Sequence, residues 1–244
     1  MARSLFNPDS AEPFKLSRSK LELFTECPRC FYLDRRLGVS RPPGFPFTLN
    51  SAVDHLLKKE FDLHRMRGER HPLMAAYGIE AVPYPSDQID EWRNNFKGVQ
   101  FLHRPTNLLI TGAVDDVWIN DKKELIVVDY KATSTQNEIS IDVDYRSSYK
   151  RQMEIYQWLL RRNGFKVTDT GYFVYANGDK DKAAFDAKLE FKVEIIPYKG
   201  DDSWVEGIIV AAHECLVGEL PKPSENCEYC SYREAAGRHE DKDV

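Results

Sequence analysis

The chain has 244 residues, of which 42% are hydrophobic and 30% are charged, and this predicts one large globular domain, with or without a small appendage. A formal net charge of −5 excludes a protein that holds nucleic acid through its overall charge, so any such binding must come from a local site. There is no apolar run long enough to cross a bilayer and no recognisable secretory signal, so we expect a cytoplasmic protein with no membrane partner.

The first half of the chain is predicted to be mainly helical. Residues 1–15 are expected to form a flexible tail, and residues 16–37 follow a helical pattern that a CPRC motif interrupts. Residues 49–67 place apolar side chains at helical spacing, which predicts a long helix. A shorter helix is expected within residues 87–96.

The second half alternates strands with helices. The predicted elements are two strands on either side of a polar turn at 120–123, a helix at 147–162, strands at 171–176 and 189–196, and a helix at 201–220. This order predicts an α/β fold in which helices flank a mixed central sheet. We expect a single domain over residues 16–232, followed by a charged tail at 233–244.

The two strands around the polar turn carry acidic residues. Asp115 lies near the end of the first strand, and Asp129 closes the apolar run LIVVDY of the second. Because strand side chains alternate between faces, Asp129 and Lys131 lie on the same face. Two carboxylates and an ammonium at one sheet edge can hold a divalent cation and polarise a water for phosphodiester attack. A structural alternative is that the acids are solvated and Lys131 protects an edge strand.

The helix that follows carries two further polar side chains. Gln152 and Tyr156 are four residues apart and therefore lie on one helix face. They suit a polar site, although a core tyrosine beside a surface glutamine has the same spacing. His55, on the earlier helix, has a similar alternative, because a lone helical histidine is commonly packed or solvated.

Three segments together indicate a family. GAVD (112–115), VVDYKAT (127–133) and QMEIY (152–156) resemble, in order and spacing, the GxxD, (D/E)xK and QxxxY motifs of the RecB-like branch of the PD-(D/E)XK nuclease superfamily. That branch includes CRISPR adaptation nucleases and the nuclease domains of recombination helicases. His55 lies where the family carries a histidine, and LSRSKLELFTECPRCFYL is similar to the opening of the branch.

The resemblance implies a restriction-endonuclease-like fold and a function. The protein is expected to hydrolyse DNA phosphodiester bonds at single strands or duplex ends, in DNA repair, recombination or CRISPR-type defence. The implied ligands of Mg²⁺ or Mn²⁺ are His55, Asp115, Asp129 and the carbonyl of Tyr130. Lys131 would orient or deprotonate the attacking water, and Gln152 and Tyr156 would position the nucleic-acid backbone.

Asp116 departs from the family pattern. Asp116 follows Asp115, where the family often places an arginine. This extra carboxylate could serve the metal or face solvent.

The cysteines predict a second metal site. Cys27 and Cys30 form one CxxC pair and Cys227 and Cys230 form another, which is the arrangement of a tetrathiolate site that ties the two ends of the chain together. Two disulfides are the alternative, but a reducing compartment disfavours them. Relatives often use one early and three late cysteines for a four-iron–four-sulfur cluster, whereas Ala236 occupies the last of those positions here. Either that cluster or Zn²⁺ is therefore expected.

Two other functions are compatible with the same residues. One is a catalytically inactive nucleic-acid-binding domain that kept the fold, and the other is a metal-stapled scaffold that acts through protein partners. The presence of the complete acid, lysine, glutamine and tyrosine set favours the nuclease.

Overall fold

The computed structural model describes residues 4–142 and 147–240. Residues 1–3 of the predicted N-terminal tail and residues 241–244 of the predicted C-terminal tail lie outside the described residues. The chain divides into two compact units, and the division runs through two strands, β3 (Val99–His103) and β4 (Leu108–Gly112). No helix of the described residues has the length and apolar character needed to cross a membrane.

The first unit comprises Met1–Phe45, Leu102–Ile110 and Ser203–Val244. Its elements are β1 (Phe14–Ser17), α1 (Arg18–Glu26), α2 (Pro28–Arg35), a short 3₁₀ turn (Arg104–Thr106), α7 (Val205–Val217) and α8 (Glu228–Glu240). Strand β1 pairs with β4 in a three-stranded sheet of order β1-β4-β3. Helices α1 and α2 both pack against α7. Helix α8 includes most of the segment predicted as a charged tail.

The second unit, Pro46–Phe101 and Thr111–Asp202, contains the larger sheet. Its strands are β2 (Ala81–Pro83), β5 (Asp116–Asn120), β6 (Leu125–Thr133), β7 (Thr170–Gly178) and β8 (Phe191–Lys199), in the order β2-β5-β6-β7-β8. Its helices are α3 (Thr48–Arg67), α4 (Pro72–Ala76), α5 (Ile89–Arg93) and α6 (Ser147–Arg162). Only β6 and β7 pair in parallel, so the sheet is mixed, as predicted.

The hairpin β5–β6 and the crossover β6–α6–β7 form the centre of this unit. The predicted polar turn joins β5 to β6, with Lys123 in the left-handed region at φ 61°. The parallel strands β6 and β7 require a crossover, which α6 supplies over the predicted residues. Helix α3 covers one face of β6, where Phe61 packs against Trp118 and Tyr130. On α6, Met153 packs against β7 so closely that a side chain at Gly171 would collide with it.

Candidate active site

Strand β6 places an acid and a lysine side by side at its carboxyl end. Asp129 is fully buried, and one of its carboxylate oxygens, Oδ2, is paired with the ammonium of Lys131. Apart from this ion pair, neither Oδ1 nor Oδ2 accepts a hydrogen bond of regular geometry from the described residues. Burial, opposed by Lys131 and reinforced by the nearby Asp115 carboxylate, raises the pKa of Asp129 to about 7. A buried carboxylate oxygen without a donor is costly, unless a cation completes its environment.

Asp115 reaches this place from a bend rather than from a strand. Strand β4 ends at Gly112 and β5 begins at Asp116, so the apolar run that predicted one strand is broken between two sheets. Gly112 permits the break, because a Cβ there would lie 2.7 Å from the ring of Tyr156. The glycine of the GxxD motif therefore lets helix α6 approach the strand that delivers the first acid.

The two oxygens of Asp115 have different partners. Oδ2 accepts a hydrogen bond of 3.0 Å from the backbone N–H of Tyr130, which ties the bend to β6. Oδ1 lies 3.0 Å from the ammonium of Lys58 on α3, and the same ammonium lies 2.8 Å from Asp54 Oδ2. Burial alone would lower the pKa of Lys58, but the carboxylates of Asp115 and Asp54 raise it above its ordinary value. Asp54 is therefore a third acid at the site, and the ammonium of Lys58 links it to Asp115.

Gln152 and Tyr156 on α6 are buried and act on Lys131. The Gln152 Oε1 lies 3.5 Å from the Lys131 ammonium, and Gln152 Nε2 donates to the Tyr156 hydroxyl at 2.9 Å. The Lys131 ammonium also lies 4.6 Å from the ring centre of Tyr149. These contacts orient the Lys131 side chain, directly through Gln152 and indirectly through Tyr156.

The structure does not bring His55 to this cluster. His55 is exposed on α3, one residue from Asp54, and it is absent from the side chains that line the cavity beside Asp115. Among residues 4–142 and 147–240, the four cysteines are the one group of three or more His, Cys, Asp or Glu side chains whose ligand atoms converge. A metal-binding role for His55, and for the Tyr130 carbonyl, stays a prediction.

Asp116 neither faces solvent nor points toward the other acids. It is fully buried, and its carboxylate is paired with Arg65 of α3 and lies 3.1 Å from Arg93 of α5. It also accepts a 2.7 Å hydrogen bond from the Tyr130 hydroxyl. Arg93 in turn donates to the backbone carbonyl of Asp115 at 2.9 Å. This buried network fixes the bend that carries Asp115.

Replacing Asp116 with Ala should lower the free energy of unfolding by about 3 kcal/mol, because Arg65 and Arg93 lose the fully buried one of the two carboxylates that they share, Asp116 and Asp62. Urea denaturation of the variant measures the change. Asp121→Ala, in the exposed turn between β5 and β6, is the matched control and should stay within about 0.5 kcal/mol of the wild type. Equal stabilities of the two variants would show that the network contributes nothing.

A cavity of about 310 Å³ opens next to the acids and belongs entirely to the second unit. Its polar lining includes Asp54, Asp115 and Lys131, and three aromatic residues, Phe47, Tyr130 and Tyr149, also line it. The site therefore combines carboxylates, ammonium groups and aromatic rings in one open pocket.

The four predicted cysteines converge in the first unit. Their sulfur atoms all lie within 4.8 Å of one another, with Sγ–Sγ distances of 3.5 Å for Cys30–Cys227, 3.6 Å for Cys30–Cys230 and 3.9 Å for Cys27–Cys230. All four are buried, and each CxxC pair spans the start of a helix, α2 or α8. The guanidinium of Arg41 lies 3.7 Å from Cys227 Sγ. The predicted convergence of the N- and C-terminal cysteines is confirmed.

Several residues of the site were not found by sequence reasoning. They are Phe47, Asp54, Lys58, Arg65, Arg93, Asp116 in its buried role, and Tyr149. One signal was present, because Asp54, Lys58, Asp62 and Arg65 follow each other at spacings of four, four and three residues and so form a charged stripe on α3.

A comparison with known protein families identifies the superfamily of the chain. A family model described as the PD-(D/E)XK nuclease superfamily matches residues 48–235, which is most of the chain. One similar solved structure, described as "Crystal structure of SSO0001", has 20% sequence identity and a TM-score of 0.28, and the match covers 52% of this chain and 50% of that chain. No curated protein matches. On the strength of the family match, the chain belongs to the PD-(D/E)XK nuclease superfamily.

Proposed function

We propose that this protein is a metal-dependent nuclease of the RecB-like branch that hydrolyses DNA phosphodiester bonds. Membership of the superfamily supports a nuclease acting on nucleic acid. The observation that carries the proposal is the buried Asp129 carboxylate, which is ion-paired with Lys131 through Oδ2 while neither of its oxygens accepts a regular hydrogen bond from the described residues. A purely structural acid at this position would have both oxygens satisfied.

The donor set fits a hard divalent cation. Asp129 Oδ1 and Asp115 supply carboxylate oxygens, which Mg²⁺ and Mn²⁺ prefer, and Asp54 is a third acid on the other side of Lys58. We propose Asp115 and Asp129 as ligands of the ion. Asp54 would be the additional ligand, in place of His55. A bound ion of this kind would polarise the scissile phosphate and lower the pKa of the attacking water.

Lys131 is proposed as the catalytic lysine. Its ammonium is held between Asp129 and Gln152, and it can orient the attacking water and offset the negative charge that develops on the phosphate. Because Gln152 and Tyr156 are buried and bonded to each other, we assign them a positioning role that acts through Lys131. Direct contact of these two residues with the nucleic-acid backbone is not required for that role.

A single strand or a frayed duplex end is the proposed substrate. Phe47 is 73% exposed, although its ring lines the cavity that holds Asp115 and Lys131. An exposed aromatic ring beside a phosphodiester-cleaving site can stack on a base, and only an unpaired base presents a free face. This substrate is the kind that repair, recombination and CRISPR-type defence all produce.

Replacing Phe47 with Ala should lower kcat/KM on single-stranded DNA about tenfold, as expected from a stacking contribution of about 1–3 kcal/mol per base. Phe96→Ala is the matched control, because Phe96 is 86% exposed in the same unit and does not line the cavity. A substrate with abasic sites around the cleaved bond should remove the difference between wild type and F47A. An unchanged kcat/KM for F47A on the normal strand would contradict base stacking by this residue.

The proposed activity is tested by incubating the protein with end-labelled single-stranded and duplex DNA in Mg²⁺, Mn²⁺ or chelator. We expect cleavage that requires a divalent ion and that is faster on the single strand. DNA binding without cleavage under any of these conditions would support the inactive nucleic-acid-binding domain instead. If the protein neither binds nor cleaves DNA, the result would support the scaffold function. Cleavage of RNA in preference to DNA would change the proposed substrate from DNA to RNA and would leave the nuclease function in place.

We propose zinc as the metal of the four-cysteine site. A tetrahedral ion with Zn–S bonds of about 2.3 Å holds its sulfur atoms about 3.8 Å apart. Three of the Sγ–Sγ distances in the structure are 3.5, 3.6 and 3.9 Å, and all four sulfur atoms lie within 4.8 Å of one another. In a four-iron–four-sulfur cluster each thiolate binds a different iron, so the sulfur atoms must stand farther apart than around one ion.

A further inference from the structure

Lys58 occupies an unusual position for a lysine of α3. Its side chain is only 19% exposed, and its ammonium lies 2.8 Å from Asp54 Oδ2 and 3.0 Å from Asp115 Oδ1. Both acids line the cavity of the candidate active site. The lysine is therefore a bridge between two carboxylates and not a solvated side chain of the helix surface.

The bridge occupies Oδ1 of Asp115, the carboxylate oxygen that is not tied to the backbone. The other oxygen, Oδ2, accepts the backbone N–H of Tyr130 at 3.0 Å and is committed to holding the bend against β6. An ammonium is a compact point charge with three donors, so it satisfies two carboxylates much as a small cation does. Lys58 thus occupies a position that a cation bound to Oδ1 of Asp115 and close to Asp54 would take.

We infer that Lys58 is the resident counter-ion of the metal site, which a divalent cation must displace before it can bind Asp115. This inference rests on the proposed function, since it takes Asp115 as a metal ligand. When the ion binds, the flexible four-carbon stem of Lys58 lets the ammonium turn away from Asp115 while it remains near Asp54. The displaced ammonium then faces the cavity, where it can contact a phosphate of the substrate.

The inference has a thermodynamic consequence. Only the fraction of molecules in which Lys58 has left Asp115 can bind the ion. The apparent affinity for the ion is reduced by that fraction. Without Lys58, Asp54 and Asp115 would repel each other, and an incoming divalent ion would relieve that repulsion. Loss of the lysine should therefore strengthen metal binding, whereas loss of an ordinary stabilising residue would weaken it.

The test is a titration of chelator-treated protein with Mn²⁺, followed by isothermal calorimetry or by the electron paramagnetic resonance signal of free Mn²⁺. Lys58→Met, which keeps the length of the side chain without its charge, should bind Mn²⁺ about tenfold more tightly than the wild type, as release from a site about 90% blocked by the lysine would give. Lys59→Met, the adjacent exposed lysine, is the matched control and should bind as the wild type does.

A second measurement guards against misfolding. In the absence of metal the K58M protein should have a lower midpoint of thermal unfolding than the wild type, and saturating Mn²⁺ should raise that midpoint by more than it raises the wild-type value. Equal or weaker Mn²⁺ binding by K58M, with K59M unchanged, overturns the inference. Cleavage of DNA by the wild type in Mn²⁺ would still uphold the proposed function in that case. If neither protein binds Mn²⁺, the inference and the metal-dependent function both fail.

Discussion

Replacing Lys131 with Met should lower the rate of metal-dependent DNA cleavage by about 10²–10³-fold, the usual cost of removing one group that stabilises developing charge. Lys131 is held toward Asp129 by Gln152, so its ammonium is fixed before substrate arrives. The measurement is the single-turnover rate of cleavage of a labelled strand. Lys122→Met, in the exposed turn between β5 and β6, should cleave at the wild-type rate.

Replacing Asp129 with Asn separates metal binding from the role of the lysine. D129N should lose most Mn²⁺ binding as well as cleavage, because an amide is a weaker ligand for a hard cation than a carboxylate. K131M should retain Mn²⁺ binding, because it leaves both acids in place. Cleavage by K131M within about threefold of the wild-type rate would remove Lys131 from the chemistry, since each factor of ten corresponds to about 1.4 kcal/mol.

Replacing Cys227 with Ser should remove zinc from the protein and unfold the first unit. Structural zinc contributes about 10–16 kcal/mol to the folding of small domains, which is as large as the whole stability of a typical domain. The sulfur of Cys227 lies 3.5 Å from that of Cys30, so its loss leaves three thiolates around the ion. Elemental analysis should give one zinc per chain for the wild type and much less for C227S, together with loss of a cooperative unfolding transition.

The fifth cysteine provides the control for this experiment. Cys215 on α7 is half-buried outside the four-cysteine group, and burial raises its pKa to about 11, which keeps it a neutral thiol. Cys215→Ser should retain one zinc per chain. If the purified protein is brown and contains about four irons per chain, the four cysteines hold an iron–sulfur cluster and not zinc. Retention of a full zinc complement by C227S would contradict the tetrathiolate site.

Local patterns predicted much of the second unit. Alternation of side chains along β6 placed Asp129 and Lys131 on one face, and the pairing of the two residues in the structure agrees with that prediction. The 3.6-residue period gave α6 its bounds at Ser147–Arg162, and the polar turn gave the β5–β6 hairpin. These features depend on neighbours in the chain, which is why the sequence reveals them.

Features that depend on distant contacts were missed. The run from Ile110 reads as one strand, but the strand ends at Gly112, where the ring of Tyr156, 44 residues later in the chain, packs 2.7 Å from the position that a Cβ would take. The burial of Asp116 depends on arginines from α3 and α5, which no local pattern joins to it. Asp54 and His55 are adjacent on a helix, and the rotation of α3 on the sheet decided which of them faces Asp115.

The parallel pairing of β6 with β7 determines when the site can assemble. Asp129 and Lys131 belong to β6, the side chains that orient the lysine belong to α6, and β7 follows α6 in the chain. Parallel strands can pair only after the whole crossover has been synthesised and has closed, and such nonlocal pairing is slow. A nascent chain that has emerged only as far as α6 therefore holds its reactive groups in no fixed arrangement. The proposed nuclease activity would therefore be acquired only after β7 has paired with β6.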